Sequence, residues 1–309
     1  MKDAFYGYPS SPPELVDNIT AGIATFRDWR TATTIHPWTE LDGPSSPVIS
    51  DVLRAIRERE VSFFDISVPN HNVFYEIGYA VGTGKPVFLT LNDALKDAMK
   101  RQVELGLFDT QRLKRYRNGT DLANIIRDAR EPYQLTTVTL PLDQRQPLYF
   151  QHHLAKIEFA TSYFACVKQQ KLGLRVHDPE EDHRLPIDRA YREVVTSAGV
   201  FLSLLPATIK GAEEHNLRAF LLAGIADAAE VPRTLLKYGE FTTPFDLRDG
   251  VTVVRDRAEI QSAVVDLLPR VHERQQHIQA SVRPLARSHL VNLSLGGTAA
   301  ENEHHHLDD

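Results

Sequence analysis

Short apolar runs alternate with segments of helical periodicity along the whole chain. In the first half the apolar runs begin near residues 4, 31, 61 and 87. Between the first two runs, Leu15, Ile19, Ile23 and Phe26 recur at helical spacing and predict a helix that ends near Trp29. Regular alternation of strands and helices is typical of an α/β fold with a parallel sheet.

The stretch Val61–Leu91 contains the clearest of these strand–helix units. Its first part, Val61–Val68, is rich in β-branched and aromatic residues and predicts a buried strand. A Pro-Asn pair ends that strand, and a helix follows in which Asn72 is the expected N-cap. Glycines at 82 and 84 end the helix, and a second apolar strand follows. This order of elements predicts a right-handed parallel βαβ unit.

The second half of the chain resembles a degenerate copy of the first half. Apolar runs at 148–150, 173–177 and 199–205 again alternate with predicted helices. The run His215-Asn216-Leu217 aligns with His71-Asn72-Val73, which puts Phe220 at the position of Glu76. We therefore expect two tandem Rossmann-like or flavodoxin-like doubly wound parallel sheets, the second a degenerate copy. Without the acid, the second copy is expected to act as a scaffold, dimerisation partner or ligand sensor.

Composition suggests where the two units begin and end. Residues 1–140 are expected to form the first unit, and a charged, proline-containing linker at 140–147 leads to the second unit at 148–285. The final long helix is expected at Glu259–Gln279. Residues 286–309 are expected to form a flexible tail or a linker to a further domain. Three adjacent histidines, His304–His306, are typical of an exposed tail, and no metal site is predicted.

The overall composition excludes several classes of protein. The 309 residues carry a net charge of −6, so the basic surface of a nucleic-acid-binding protein is not expected. No apolar run approaches the length of a membrane span, and the first residues do not resemble a signal peptide. The single cysteine, Cys166, excludes an intrachain disulfide. We expect a cytoplasmic protein without a cofactor or a membrane partner.

Glu76 is the acidic residue that most needs an explanation. It lies in the middle of the predicted helix between Tyr75 and Ile77, where most neighbours are apolar. It is either a surface residue of an amphipathic helix or a carboxylate that is desolvated for chemistry. The polar face of this helix is narrow and Tyr75 and Tyr79 bracket the acid, which favours the second interpretation.

Four further positions each have two interpretations. Ser10 and Ser11 precede the first helix, where they either help to bind an anionic ligand or cap the helix. Trp38 lies in a loop with prolines and a glycine, and it either stacks on a base or anchors the loop to the core. Asp65 lies in a buried strand, where it either orients a ligand or forms structural hydrogen bonds.

The run D-I-S-x-P-N-x-N-V-x-Y-E-I-G-Y-A-x-G-x-G-K-P-V at residues 65–87 resembles the signature of the nucleoside 2-deoxyribosyltransferase family. Relatives of that family include the deoxynucleotide N-hydrolases and, more distantly, TIR-like NAD-cleaving folds and anti-phage effectors. The resemblance implies that Glu76 is the nucleophile. It also implies that Asp51, 25 positions earlier, is the second carboxylate, although an acid in the first turn of a helix is favoured on its own account. The substrate-binding residues implied are Tyr8, Ser10, Ser11, Trp38, Asp65, Asn72 and Tyr75.

Three functions are consistent with these features. The first is an N-glycosidase that cleaves the C1′–N bond of a nucleotide, nucleoside or NAD, as in a bacterial anti-phage effector, with NAD as a candidate substrate. The second is a non-catalytic module that senses a nucleotide or assembles partners. The third is a salvage deoxyribosyltransferase. A homo-oligomer or a regulatory partner is expected, and direct binding of nucleic acid is not.

Overall fold

The computed structural model describes residues 3–41, 48–109, 111–135, 140–153, 157–179, 183–239 and 250–294, with side chains described as far as residue 278. Within these ranges the chain forms two five-stranded parallel sheets whose strands alternate with helices. The predicted α/β class and its tandem arrangement are confirmed.

The described part of the first unit contains five strands, five α-helices and a short 3-10 turn at Trp38–Glu40. The strands are β1 (Asp3–Gly7), β2 (Thr34–Pro37), β3 (Val61–Asp65), β4 (Val87–Asn92) and β5 (Lys114–Tyr116). The helices are α1 (Pro13–Asp28), α2 (Val48–Glu58), α3 (His71–Gly82), α4 (Ala98–Leu105) and α5 (Gly119–Asp128).

The described part of the second unit contains five strands and four helices. The strands are β6 (Leu148–Gln151), β7 (Leu174–His177), β8 (Gly199–Leu204), β9 (Arg233–Tyr238) and β10 (Thr252–Val254). The helices are α6 (Glu158–Lys168), α7 (Ile187–Val195), α8 (Ala212–Ala228) and α9 (Arg257–Ser294). Of the described helices, none combines the length and the apolar character that crossing a membrane requires.

Both sheets have the same strand order. It is β2-β1-β3-β4-β5 in the first unit and β7-β6-β8-β9-β10 in the second. This is the flavodoxin-like order 2-1-3-4-5, in which the chain reverses its direction of travel between the first and third strands. Each unit therefore has a crevice at the carboxyl edge of its sheet, between β1 and β3 and between β6 and β8.

The layers alternate because successive strand residues face opposite sides of a sheet. In β1, Ala4 and Tyr6 pack with α1 and α5, whereas Phe5 packs on the other side with α2 and α3. In the second sheet, Phe150 packs with α6 and α9, whereas Tyr149 faces α7 and α8. The central helices of both units share one hydrophobic core, so the two sheets enclose a common middle layer.

Two glycines allow α3 and α8 to pack with their backbones in contact. A Cβ atom on Gly78 would collide with the carbonyl oxygen of Leu221, and a Cβ atom on Gly224 would collide with that of Tyr75. These reciprocal contacts place the backbone of α3 near Gly78 against the backbone of α8 near Gly224. The alignment of Phe220 with Glu76 stays a prediction.

Several predicted element boundaries differ from the structure. The helix expected at 93–104 begins only at Ala98, after a turn, and the charged stretch near 114 contains the edge strand β5. The last helix continues to Ser294, beyond the predicted boundary at 286, and residues 295–309 with their three histidines lie outside the described residues. The strands β9 and β10 were not predicted. The missed edge strands are short, and β5 and β10 have only three residues each.

The N-cap of α3 is Asn70, and the prediction of Asn72 was wrong. The side-chain oxygen of Asn70 accepts a hydrogen bond from the backbone N–H of Val73 at 3.1 Å. The helix therefore begins at His71, and Asn72 belongs to its first turn.

Candidate functional site

A small cavity of about 60 Å³ lies at the carboxyl edge of the first sheet, at the crevice beside β1 and β3. Loops after three strands meet there: the loop after β1, the turn after β2 and the start of α3. The described residues that line the cavity are Tyr8, Ser10, Trp38, Val48, Ile49, Val52, Asn70, Asn72, Val73 and Glu76. Five of the nine predicted site residues are therefore brought together at this one place.

The carboxylate of Glu76 forms the inner end of this cavity. Glu76 lies in the second turn of α3, its side chain lines the cavity and it is only 7% exposed, so it is not a surface residue of an amphipathic helix. Gly7, the last residue of β1, makes room for it, because a Cβ atom there would lie 2.6 Å from Glu76 Oε2. The sequence reasoning missed Gly7, since nothing local distinguishes it from another strand-ending glycine.

Two aromatic residues form the side of the cavity opposite α3. The rings of Tyr8 and Trp38 are 5.9 Å apart and tilted by 59°. The hydroxyl of Tyr8 lies 3.2 Å from Thr39 Oγ1. The indole N–H of Trp38 is buried and has no hydrogen-bond partner among the described residues. Trp38 packs against the core, as the anchoring interpretation predicts, and it also lines the cavity, where stacking on a base stays a prediction.

Asp51 does not belong to the described wall of the cavity. It is a buried residue of α2, and its Oδ1 atom accepts a hydrogen bond from Arg54 at 2.5 Å. The wall contributed by α2 consists instead of the apolar residues Val48, Ile49 and Val52. The expected pairing of Asp51 with Glu76 stays a prediction.

Asp65 forms structural hydrogen bonds, whereas its role in orienting a ligand stays a prediction. Its Oδ2 atom accepts hydrogen bonds from the hydroxyl of Tyr116 at 2.8 Å and from Thr90 at 3.1 Å, while its Oδ1 atom accepts one from the backbone N–H of Ser67 at 3.0 Å. Full burial raises the pKa of the Asp65 carboxyl, although these hydrogen bonds oppose the shift. The network joins β3 to β4 and β5 inside the sheet.

Tyr75 faces the second unit and is not among the described residues that line the cavity, so its binding of substrate stays a prediction. Its hydroxyl donates a hydrogen bond to Asp227 Oδ2 at 2.8 Å, and the same carboxylate binds Arg233 at 2.6 Å. Burial, followed by the nearby negative charge of Asp227, raises the pKa of the Tyr75 hydroxyl. Neighbouring residues on a helix point in directions about 100° apart, so Glu76 can face the cavity while Tyr75 faces α8.

The two serines after β1 lie in different surroundings. Ser10 is exposed and lines the mouth of the cavity, whereas Ser11 is exposed and is not part of the described wall. Neither serine caps α1, because Pro12 occupies the N-cap position and no side chain forms a capping hydrogen bond there. The capping interpretation was therefore wrong, and ligand binding by Ser10 and Ser11 stays a prediction.

Comparison with known proteins finds only distant likeness. No protein-family model matches the chain, and no curated protein matches it. The NAD⁺-bound 3-phosphoglycerate dehydrogenase of Entamoeba histolytica is 8% identical, over 90% of this chain and 94% of that chain, with a TM-score of 0.21. The pyruvate reductase of Chlamydomonas reinhardtii is 13% identical, over 90% of this chain and 97% of that chain, with a TM-score of 0.19. Likeness at this level says nothing about activity.

Proposed function

We propose that the chain is an N-glycosidase that cleaves the C1′–N bond of a nucleotide, nucleoside or NAD, with Glu76 as the nucleophile. The observation that carries this proposal is the placement of a nine-tenths buried carboxylate on the wall of a cavity, at the edge where open α/β sheets bind ligands. Tyr8, Asn70 and Asn72 line the same cavity and offer polar groups beside the hydroxyls of a sugar.

In the proposed reaction, a carboxylate oxygen of Glu76 bonds to the anomeric carbon as the C1′–N bond breaks. The electron pair of the broken bond leaves with the base, and a glycosyl ester of Glu76 is formed. Water then attacks the anomeric carbon, the ester bond to Glu76 breaks, and the proton of the water passes to solvent. Because Glu76 is largely shielded from water, its attraction to the positive charge that develops on the sugar is strengthened.

The composition of the wall favours a base that leaves without protonation. Glu76 is the one carboxylate among the described residues that line the cavity. A purine or pyrimidine needs a proton as it departs, and an acidic side chain commonly supplies it. The nicotinamide of NAD carries a positive charge on its ring nitrogen and leaves as a neutral base. NAD is therefore the preferred candidate substrate, and Trp38 offers an aromatic face for its cationic ring.

The cavity has to open before a nucleotide can bind. A volume of about 60 Å³ is far below the roughly 300–1,000 Å³ of typical ligand sites, so a nucleotide enters only if the walls move apart. The outer walls are Trp38 and the first turn of α2, where Val48 is 48% exposed. The same movement is required of a non-catalytic module that senses a nucleotide, which is the second candidate function.

The deciding experiment compares wild type with Glu76→Gln. The protein is incubated with NAD, nucleotides, nucleosides and deoxynucleotides, and free base is measured by chromatography. We expect wild type to release nicotinamide from NAD and Glu76→Gln to release none, while the control Glu58→Gln, which changes an exposed acid on α2, behaves as wild type. If wild type binds a nucleotide but releases no base, the sensing module is the better account. Faster turnover on addition of a second base supports the transferase.

A further inference from the structure

The second unit contains a larger cavity at the equivalent place. Its volume is about 590 Å³, which is within the range of small-molecule sites. It lies at the carboxyl ends of β6 and β7 and at the N-terminus of α8, so the same three connections that surround Glu76 in the first unit surround it here. Glu104, next to the end of α4, supplies a wall from the first unit. The α8 residues Glu214, His215 and Arg218 line it with the same spacing as Asn72, Val73 and Glu76 in the first cavity, so Arg218 stands where Glu76 does.

One side of this cavity is suited to an anionic group. Lys210 lines it, is exposed and forms no ion pair among the described residues. Gly211, the next residue, is the N-cap of α8 and has a φ of 78°. No side chain caps this end of the helix, and the helix dipole favours negative charge there, although the N–H of Ala212 already donates to the backbone oxygen of Ile209.

The floor of the cavity contains an unsatisfied hydrogen-bond acceptor. Gln151, at the end of β6, is only 2% exposed, and its side-chain N–H donates to the backbone oxygen of His215 at 2.8 Å. Its Oε1 atom has no hydrogen-bond partner in the described part of the chain. A buried acceptor without a partner needs an explanation, and a ligand that donates an N–H or O–H group would provide one. The Nδ1 atom of the neighbouring His152 is buried in the same way.

The wall is fixed in place before any ligand arrives. The guanidinium of Arg218 donates hydrogen bonds of 2.7 Å to the backbone oxygens of Leu105 and His183, which ties α8 to the end of α4. Although several histidines line the cavity, the described residues contain no group of three side chains placed to hold a metal ion. An organic ligand is therefore the better match for this site.

We propose that this second cavity is a nucleotide-binding site. The phosphate lies against Lys210 and the N-terminus of α8, and a hydroxyl or amino group of the nucleoside donates a hydrogen bond to Gln151 Oε1. Two glutamates of the wall, Glu104 and Glu214, accept further hydrogen bonds and disfavour a ligand with several phosphates. The proposal is independent of whether Glu76 is catalytic.

The test is calorimetric titration of the full chain with AMP, adenosine and inorganic phosphate. We expect AMP to bind at least roughly tenfold more tightly than either of the other two, since each of them lacks half of the contacts. Lys210→Asn is expected to weaken the binding of AMP by roughly tenfold or more, since it removes a charge-assisted contact. Gln151→Leu is expected to weaken it as well, with thermal unfolding as a check that this buried variant is folded.

Two control variants make the test specific. Lys171→Asn removes an equally exposed positive charge of the second unit at a left-handed backbone position that asparagine tolerates, and AMP binding should not change. Glu76→Gln should also leave this binding unchanged, which separates the second cavity from the first. The proposal is overturned if AMP does not bind at millimolar concentration, if adenosine or phosphate binds as well as AMP, or if Lys210→Asn binds AMP as wild type does.

Discussion

Gly7→Ala tests the position of the Glu76 carboxylate without changing the carboxylate itself. The new methyl group would lie 2.6 Å from Glu76 Oε2 and 2.8 Å from the ring of Phe64, which is itself fully buried. To restore an ordinary contact of 3.4 Å, the carboxylate oxygen has to retreat by about 0.8 Å. A misplacement of about 1 Å at a reacting group costs on the order of 100-fold in rate. We therefore expect base release from NAD to fall by about that factor.

Gly22→Ala is the matched control for this variant. A Cβ atom at Gly22 would lie 2.9 Å from the backbone oxygen of Gly119 and 3.0 Å from Leu122, so it overpacks the contact between α1 and α5, away from the cavity. Each variant is expected to lose about 1–3 kcal/mol of unfolding free energy, but only Gly7→Ala should lose activity. The assay is base release at saturating NAD, with urea unfolding in parallel. Folded Gly7→Ala with wild-type activity would refute the assigned position of Glu76.

Three further predictions test neighbouring parts of the structure. Burial lowers the pKa of His71 to about 4, below its ordinary value of 6.5. The unfolded chain therefore binds this proton at a higher pH than the folded chain does, and the free energy of unfolding falls as the pH drops from 6.5 towards 4. In urea unfolding at pH 7.5 and 4.5, His71→Phe should lose up to about 3 kcal/mol less unfolding free energy between the two pH values than wild type does. Tyr75→Phe, which removes the hydrogen bond to Asp227, should lower the free energy of unfolding in urea by about 1 kcal/mol and leave base release unchanged. A loss of activity would show that Tyr75 contributes to the site. Trp38→Ala should weaken NAD binding by roughly tenfold in calorimetry and Trp38→Phe by less, and equal effects would exclude ring stacking.

Local pattern was sufficient for the central elements of the fold. The buried strand β3 and the helix α3 follow from apolar runs and glycine stops that lie within thirty residues of each other. The edge strands are different, because β5 is a three-residue strand in a charged stretch and its strand character comes from pairing with β4. Strands of this kind are fixed by their neighbours in the sheet and leave little trace in the sequence.

The site was predictable where it depends on neighbours in sequence and unpredictable where it depends on distant elements. Glu76 followed from its place in an apolar helix. The direction in which the Tyr75 side chain points did not follow from the sequence, because its hydroxyl donates a hydrogen bond to Asp227 on α8. The hydrogen bond from Tyr116 to Asp65 did not follow either, because Tyr116 lies on an edge strand that the pattern did not reveal. The second cavity likewise gathers residues from β6, β7 and α8 that only the strand order brings together.

The formation of a covalent bond between Glu76 and the sugar is the claim on which the enzymatic account depends. A 2′-fluoro analogue of NAD, which slows hydrolysis of a glycosyl ester, is incubated with wild type and with Glu76→Gln, and peptides are analysed by mass spectrometry. The account predicts release of nicotinamide and a sugar adduct on the peptide that contains Glu76, with neither in Glu76→Gln. Release of nicotinamide with the adduct on another residue, or undiminished release by Glu76→Gln, would contradict it.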